Sequence, residues 1–298
     1  MNPQFPIYIP SKGRADSRLT MRALDAMRVP YYVVVEAQEH SGYAAVIDPA
    51  RLLILDPTYQ RDYDTCDDIG DAKSKGPGPA RNFAWAHALS IGAAWHWVMD
   101  DNIRWFCRLV RNQKIHVTDG TIFRCMEDYC LRYANVAMAG PAYEFMTPRK
   151  AKIGPLVFNT RIYSCNLIRN DVPFRWRGRY NEDTDLSLQM LKAGWCTFQF
   201  NAFLQKKVAT QQLKGGNTDA FYAKEGTAAK SEMQVRLHPD CSRLVMRYGR
   251  PHHYVDYKRF ATNKLVLAPG VTVPTGVNEY GMTRTPRAAV QQDSHARP

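Results

Sequence analysis

The apolar positions of this chain come in short runs separated by polar, Gly- and Pro-bearing stretches, and the runs differ in period. Residues 5–9, FPIYI, form a buried-strand pattern that stops at Pro10 and opens into a polar loop with Ser11, Lys12, Gly13 and Arg14. A helix is predicted over residues 16–28, then a β-branched and aromatic run, PYYVVVEAQE, then a helical stretch and a third strand, RLLILD. Residues 60–80, ending GDAKSKGPGPA, read as a mobile loop, and ARNFAWAHALSIGA carries helical spacing into a fourth strand, WHWVMDDN. Further on, the loop RNDVPFRWRGRY runs into an amphipathic helix beginning NEDTDLSLQMLKAGW, followed by a strand, CTFQFNAFLQKKV. Strands alternating with helices predict an α/β fold whose mostly parallel central sheet is covered by helices on both faces. Ligands in such folds sit beyond the carboxyl ends of the strands, so the strand ends are where chemistry is expected.

At 298 residues and 45% hydrophobic content the chain can bury a large core, which excludes disorder throughout. From Ala268 onward apolar periodicity fades among Pro, Gly and Thr, predicting an extended or disordered tail over 268–298 behind one domain spanning 1–267. The excess of 40 Lys and Arg over 28 Asp and Glu gives a formal charge of +12 and a pI near 9.4, which favours polyanionic partners such as nucleic acid or a sugar nucleotide. Seven cysteines without a CxxC pair argue against a zinc ribbon or a disulfide framework and for a reducing compartment. No secretory pattern opens the chain and no run of about 18 apolar residues occurs, so the expectation is a soluble, cytoplasmic protein without a membrane partner.

Candidate chemistry gathers at the predicted strand and helix ends. Asp100, Asp101 and Asn102 close the fourth strand. Adjacent carboxylates repel unless something positive screens them, and this oxygen-rich set suits Mg²⁺ or Mn²⁺; equally, Asp and Asn cap turns and helices. Glu182, Asp183 and Asp185 open the amphipathic helix, where acids favour the macrodipole or hold a tuned base. Lys12, Arg14 and Arg81 stand at loop positions that suit a nucleotide, and Lys73 and Lys75 could cover phosphates, although solvated surface charge is the ordinary fate of each. Among the eight histidines, His252 and His253 are the foremost candidates to complete a metal sphere, with His238 behind them. Arg169, Arg175, Arg177 and Arg179 alternate with Phe174, Trp176 and Tyr180, a pattern suited to backbone contact and stacking on a base or to an ordinary acceptor-side loop.

Taken in order, IYIPSKGRA, GPGPARNFAWAHA before WVMDDN, and RGRYNEDTDLSLQMLKAGW resemble the signature of GT-A-fold glycosyltransferases over roughly residues 5–200. KGGNTDAFYAKEG and RYGRPHHYVDYKRF extend the resemblance to about residue 267, toward the bacteriophage TET-associated glycosyltransferases that add sugar to hydroxymethylated pyrimidines in DNA. The resemblance implies a nucleotide-sugar half over 1–102 and an acceptor half over 103–267. It implies a donor, UDP-linked by family habit, surrounded by Pro10, Ser11, Lys12, Arg14, Glu36, Arg81 and Asp100. It further implies Mn²⁺ or Mg²⁺ on Asp101 and Asn102 with His252 or His253, although Asn102 departs from the commonest Asp-any-Asp motif. Asp183 becomes the general base of an inverting transfer, with Glu182 beside it, and Arg175, Trp176, Arg177 and Arg179 face the acceptor. That acceptor is expected to be 5-hydroxymethylcytosine in DNA; a saccharide or protein acceptor, or a catalytically silent DNA-binding module, are the competing readings.

Overall fold

Residues 1–70, 73–147, 154–208, 228–247, 249–272, 275–278 and 281 are described by a computed structural model. The first apolar run becomes β1 (Ile7–Pro10), and α1 (Leu19–Ala26) follows. This helix starts later than its periodicity predicts, because residues 11–18 stay in a loop in which Arg18 N donates to Arg14 O at 3.0 Å. Next come β2 (Tyr32–Val35), α2 (His40–Ala44), β3 (Leu52–Ile54), α3 (Pro57–Arg61), α4 (Gly78–Ser90) and β4 (Trp95–Met99). The second half adds β5 (Ile103–Val110), β6 (Gln113–His116), α5 (Thr121–Cys130), β7 (Val136–Tyr143), β8 (Leu156–Phe158) and β9 (Cys165–Arg169). It continues with α6 (Glu182–Lys192), β10 (Cys196–Lys207), α7 (Ala228–Leu237) and the hairpin β11 (Ser242–Arg247) and β12 (Arg250–Val255).

Ten strands among the described residues form one sheet, ordered β3-β2-β1-β4-β9-β7-β10-β5-β6 with β8 beside β10. The four strands β3, β2, β1 and β4 are parallel; β9 enters antiparallel to β4, and β7 and β10 run parallel to each other. This helix-flanked α/β sheet is the architecture expected of a GT-A-type fold.

β4 lies near the middle because every residue of Trp95–Met99 is buried, as a strand covered on both faces requires. Its Trp97 packs edge-on against Phe123 at 5.3 Å and donates its indole N–H to Glu127 at 2.8 Å. Glu127 is itself buried, and the backbone N–H groups of Gln4 and Phe5 donate to its other lone pairs, so the chain's start is tied to the core by a satisfied carboxyl group.

One edge of this sheet collects the chemistry. The carboxyl ends of β1, β2 and β4 meet the start of β9, where Asp100 N donates to Ser164 O at 2.7 Å. The ends of β7 and β10 arrive at the same edge, bringing Tyr143 and Lys207. Of the predicted tail, Ala268 N donates to Arg132 O at 2.9 Å, while residues 282–298 and the KGGNTDAFYAKEG segment lie outside the described residues. Among the described residues no helix is long and apolar enough to cross a membrane, and all seven cysteines are free.

Candidate active site

A cavity of about 900 Å³ opens at this sheet edge, within the usual range for small-molecule sites. The β1 end supplies Pro10, Ser11, Lys12 and Arg14, the β2 end Glu36, and the N-terminus of α4 Arg81. Asp100, Asp101 and Asn102 from the end of β4 line it too, with Glu182 and Asp183 from α6. Lys73 and Lys75 also line the wall, as does His253, whereas His252 does not.

The adjacent carboxylates are each held by cations and hydroxyls of the chain. Arg14 pairs with Asp101 Oδ1, and Ser11 Oγ donates to Asp101 Oδ2 at 2.8 Å while sharing a 2.6 Å hydrogen bond with the Tyr43 hydroxyl. Arg81 Nη2 donates to Asp100 Oδ1 at 2.8 Å and Lys207 Nζ to Asp100 Oδ2 at 2.5 Å. Burial opposes ionisation of Asp100, but Lys207 and Arg81 overrule it and hold its carboxyl far below the ordinary range. In Asp101 burial wins over Arg14 and the affinity for protons rises.

Arg81 joins the two acidic clusters. Only 2% exposed, it also donates through Nη1 to Asp183 Oδ1 at 2.7 Å, lies 3.4 Å from Glu182 Oε1, and stacks its guanidinium 4.4 Å from the Trp176 ring centroid. Asn166 Nδ2 adds a 3.0 Å bond to Asp183 Oδ1. Asp183 Oδ2 receives, among the described residues, the 3.3 Å N–H of Ser164. Burial pushes the proton affinity of both Asp183 and Glu182 up, against the pull of Arg81. Ser164 reaches this position with φ of 61°, a left-handed conformation that non-glycine residues seldom adopt outside functional or tightly determined sites.

The far wall is aromatic. Tyr143 stacks on Tyr163 at 5.8 Å and on Phe145 at 5.2 Å, and Arg161 lies 4.8 Å over the Tyr163 ring. Phe145 is 64% exposed and Met146, which lines the cavity, is 51% exposed. The Tyr143 hydroxyl, 2.6 Å from Ser164 Oγ, is raised by burial to about 12 and stays protonated near neutrality.

Of the candidate metal ligands, Asp101, Asn102 and His253 line this cavity, while among the described residues no group of three or more His, Cys, Asp or Glu side chains is placed to hold a metal ion. Asn102 donates its amide N–H to Val208 O at 3.3 Å, and the pKa of His253 is lowered to about 4 by burial and by Lys230 and Arg161; the buried Asn102 Oδ1 and His253 Nδ1 have no hydrogen-bond partner among the described residues. His238 pairs instead with buried Asp185 at 2.8 Å, away from the cavity.

The basic aromatic loop is divided: Trp176, Arg179 and Tyr180 are buried, Phe174 and Arg177 half-buried and Arg175 exposed. Trp176 lies buried beneath Arg81, and Arg179 binds Asp67 and the carbonyls of Gly70, Lys73 and Ser74 with a side chain that is 0% exposed. Arg177 pairs with Asp185, and Arg175 lies 4.5 Å over Trp85. Arg179 and Tyr180 line the cavity, whereas Arg175, Trp176 and Arg177 do not. Alternating Arg and aromatic residues read the same whether they meet a nucleic acid or the protein's own carbonyls and rings.

Sequence reasoning passed over Lys207, Ser164, Asn166, Arg161 and the pair Tyr143 and Tyr163. Lys207 had a signal, since it ends the CTFQFNAFLQKKV strand and strand ends carry ligands in this architecture. The family model described as TET-Associated Glycosyltransferase matches residues 5–216. No curated protein matches the chain.

Proposed function

The chain belongs to the TET-associated glycosyltransferases, and from that membership we propose that it moves a sugar from a nucleotide carrier, UDP in our reading, to the hydroxyl of 5-hydroxymethylcytosine in DNA. The observation that carries this reading is the Arg81 bridge. One buried guanidinium ties Asp100, on the strand-end side where a nucleotide binds, to Asp183, on the side of the aromatic wall. The two substrates would therefore meet across Arg81.

Asp183 acts as the general base. Its Oδ1 is fixed by Arg81 and Asn166, which aims Oδ2 for proton transfer, and burial raises its basicity toward the working range. The acceptor oxygen attacks the anomeric carbon, its proton passes to Asp183, and the bond from that carbon to the diphosphate oxygen breaks with its electron pair leaving on the diphosphate. Direct displacement of this kind inverts the anomeric centre. Ser11, Lys12, Arg14 and Glu36 surround the nucleoside, and the stacked faces of Phe145, Tyr143 and Tyr163 offer the acceptor base a platform. Free cysteines and a net charge of +12 suit a reaction on DNA inside a cell, such as a phage-infected host.

The test is mass spectrometry of nucleosides from 5-hydroxymethylcytosine DNA incubated with the protein and a panel of nucleotide sugars. A hexose or N-acetylhexosamine increment on that nucleoside is expected. Donor hydrolysis without an increment moves the acceptor to a saccharide or a protein, and neither hydrolysis nor increment leaves a DNA-binding module.

A further inference from the structure

Glycosyl transfer leaves negative charge on a departing diphosphate, and some cation must receive it. In this chain the place is taken. Both oxygens of Asp100 are engaged, by Arg81 Nη2 at 2.8 Å and Lys207 Nζ at 2.5 Å, and both oxygens of Asp101 by Arg14 and Ser11. Asn102, in the third place of the motif, brings no charge: its amide N–H goes to Val208 O, and its buried Oδ1, unpartnered among the described residues, is a neutral oxygen beside two carboxylates whose own oxygens are already paired. A divalent ion bound to Asp100 would lie against the Lys207 ammonium and the Arg81 guanidinium, where like charges repel strongly because little water screens them.

The fold is arranged to put Lys207 there. Residues opposite β10 skip from Trp105 at Lys206 to Ile103 at Lys207, an irregularity of register that redirects the side chain at the strand's end, as bulges beside active sites do. Val208 N donates to Asn102 O at 3.1 Å and Asn102 Nδ2 returns the bond, so the end of β10 is clipped directly to the acidic motif. Ser164 Oγ, 2.9 Å away, accepts a second hydrogen bond from the ammonium, so that among the described residues its third N–H is open to a ligand oxygen. Burial works against the charge on Lys207, but the Asp100 carboxylate more than restores it.

We infer that Lys207, with Arg81, is the electrostatic partner of the leaving diphosphate and that transfer proceeds without a divalent metal. The inference rests on the transferase reading. In the reaction, the bond from the anomeric carbon to the diphosphate oxygen breaks, the electron pair stays on that oxygen, and the Lys207 N–H donates to the anion without leaving its nitrogen. Asp100 is the positioning residue that holds both cations.

Calorimetric titration of the full-length protein with UDP, GDP, ADP and CDP, in EDTA and again in Mn²⁺, tests the site independently of turnover. At least one diphosphate is expected to bind in EDTA, with a Kd within about twofold of that in Mn²⁺. Binding that is absent in EDTA, or tightened more than about tenfold by Mn²⁺ or Mg²⁺, would falsify the inference, whatever the acceptor proves to be. Where wild-type transfer is observed, its rate should be unchanged by EDTA, whereas loss in EDTA with recovery in Mn²⁺ overturns metal independence. Lys207→Ala should lower kcat about 10²–10³-fold, the usual consequence of removing a donor to a developing anion, and Lys207→Arg should recover part of it. Full activity in a folded Lys207→Ala variant removes Lys207 from the mechanism.

Discussion

Asp183 sits where two opposed influences decide its charge. Burial raises its proton affinity, Asp100 adds to that, and Arg81, Lys207 and the Ser164 N–H lower it, with burial prevailing. A base must be ionised to accept a proton, so kcat/KM should climb with pH through a limb lying above the ~3.9 of an ordinary aspartate. Replacing Lys207 by Met removes a cation that favours the carboxylate. The limb should then move to higher pH, and a rate–pH profile in which it stays put or moves down would dissociate Lys207 from Asp183. Asp183→Asn keeps the shape and the Arg81 contact geometry while removing the basic oxygen. Transfer should fall at least ~10²-fold, the low end for general-base loss, with nucleotide affinity measured by calorimetry little changed.

At the level of elements, part of the cavity's frame was legible because those pieces have an unmixed period: β1 and β4 are continuous apolar runs, and α4 and α6 carry helical spacing after Gly, Pro or acidic starts, whereas β7 and β9, which bring Tyr143 and Ser164 to the cavity, were not picked out. The partners of the acidic motif were not legible, because Arg14, Arg81 and Lys207 come from three elements that only the sheet order brings together. The loop before α6 has a structural role that its alternating pattern did not show. Arg179 satisfies Asp67 bidentately, at 2.7 and 2.9 Å, and three backbone carbonyls besides, so it anchors the segment that carries Lys73 and Ser74 into the cavity wall. Arg179→Met would leave a nearly buried carboxylate and those carbonyls unpaired. Breaking a buried pair from one side costs about 3–5 kcal/mol, which a urea denaturation midpoint will report; a variant as stable as the parent would mean the clamp carries little. A second local constraint is Gly78 at the start of α4. A Cβ there would stand 1.9 Å from the Tyr63 hydroxyl, which donates to Gly178 O at 2.9 Å, so even alanine must push Tyr63 off the loop that leads to Asp183.

For the whole molecule, the question is how a polymer as wide as duplex DNA delivers a hydroxyl to Asp183. Asp183 is 9% exposed in the cavity lining, while Phe145, stacked on the cavity residue Tyr143, stands 64% exposed. A target base that leaves its helix could exchange its lost stacking for these rings, and the cost of unstacking is absent when the DNA is already single-stranded. The net charge of +12 supplies affinity for both forms without distinguishing them, because phosphate contacts are blind to pairing and weaken together as salt rises. The aromatic wall is where the two forms should separate. Phe145→Ala removes the outer ring and leaves Asp183, Arg81 and Lys207 untouched. Base stacking is worth about 1–3 kcal/mol, so kcat/KM on duplex 5-hydroxymethylcytosine DNA should fall roughly 5- to 150-fold. Single-stranded substrate should lose less, since it has no helix to leave, and both should keep the salt slope of the parent. Equal losses on the two substrates would mean that Phe145 serves only as a platform for the bound base. No loss on either would place the acceptor elsewhere on the cavity rim, away from the Tyr143 and Tyr163 stack.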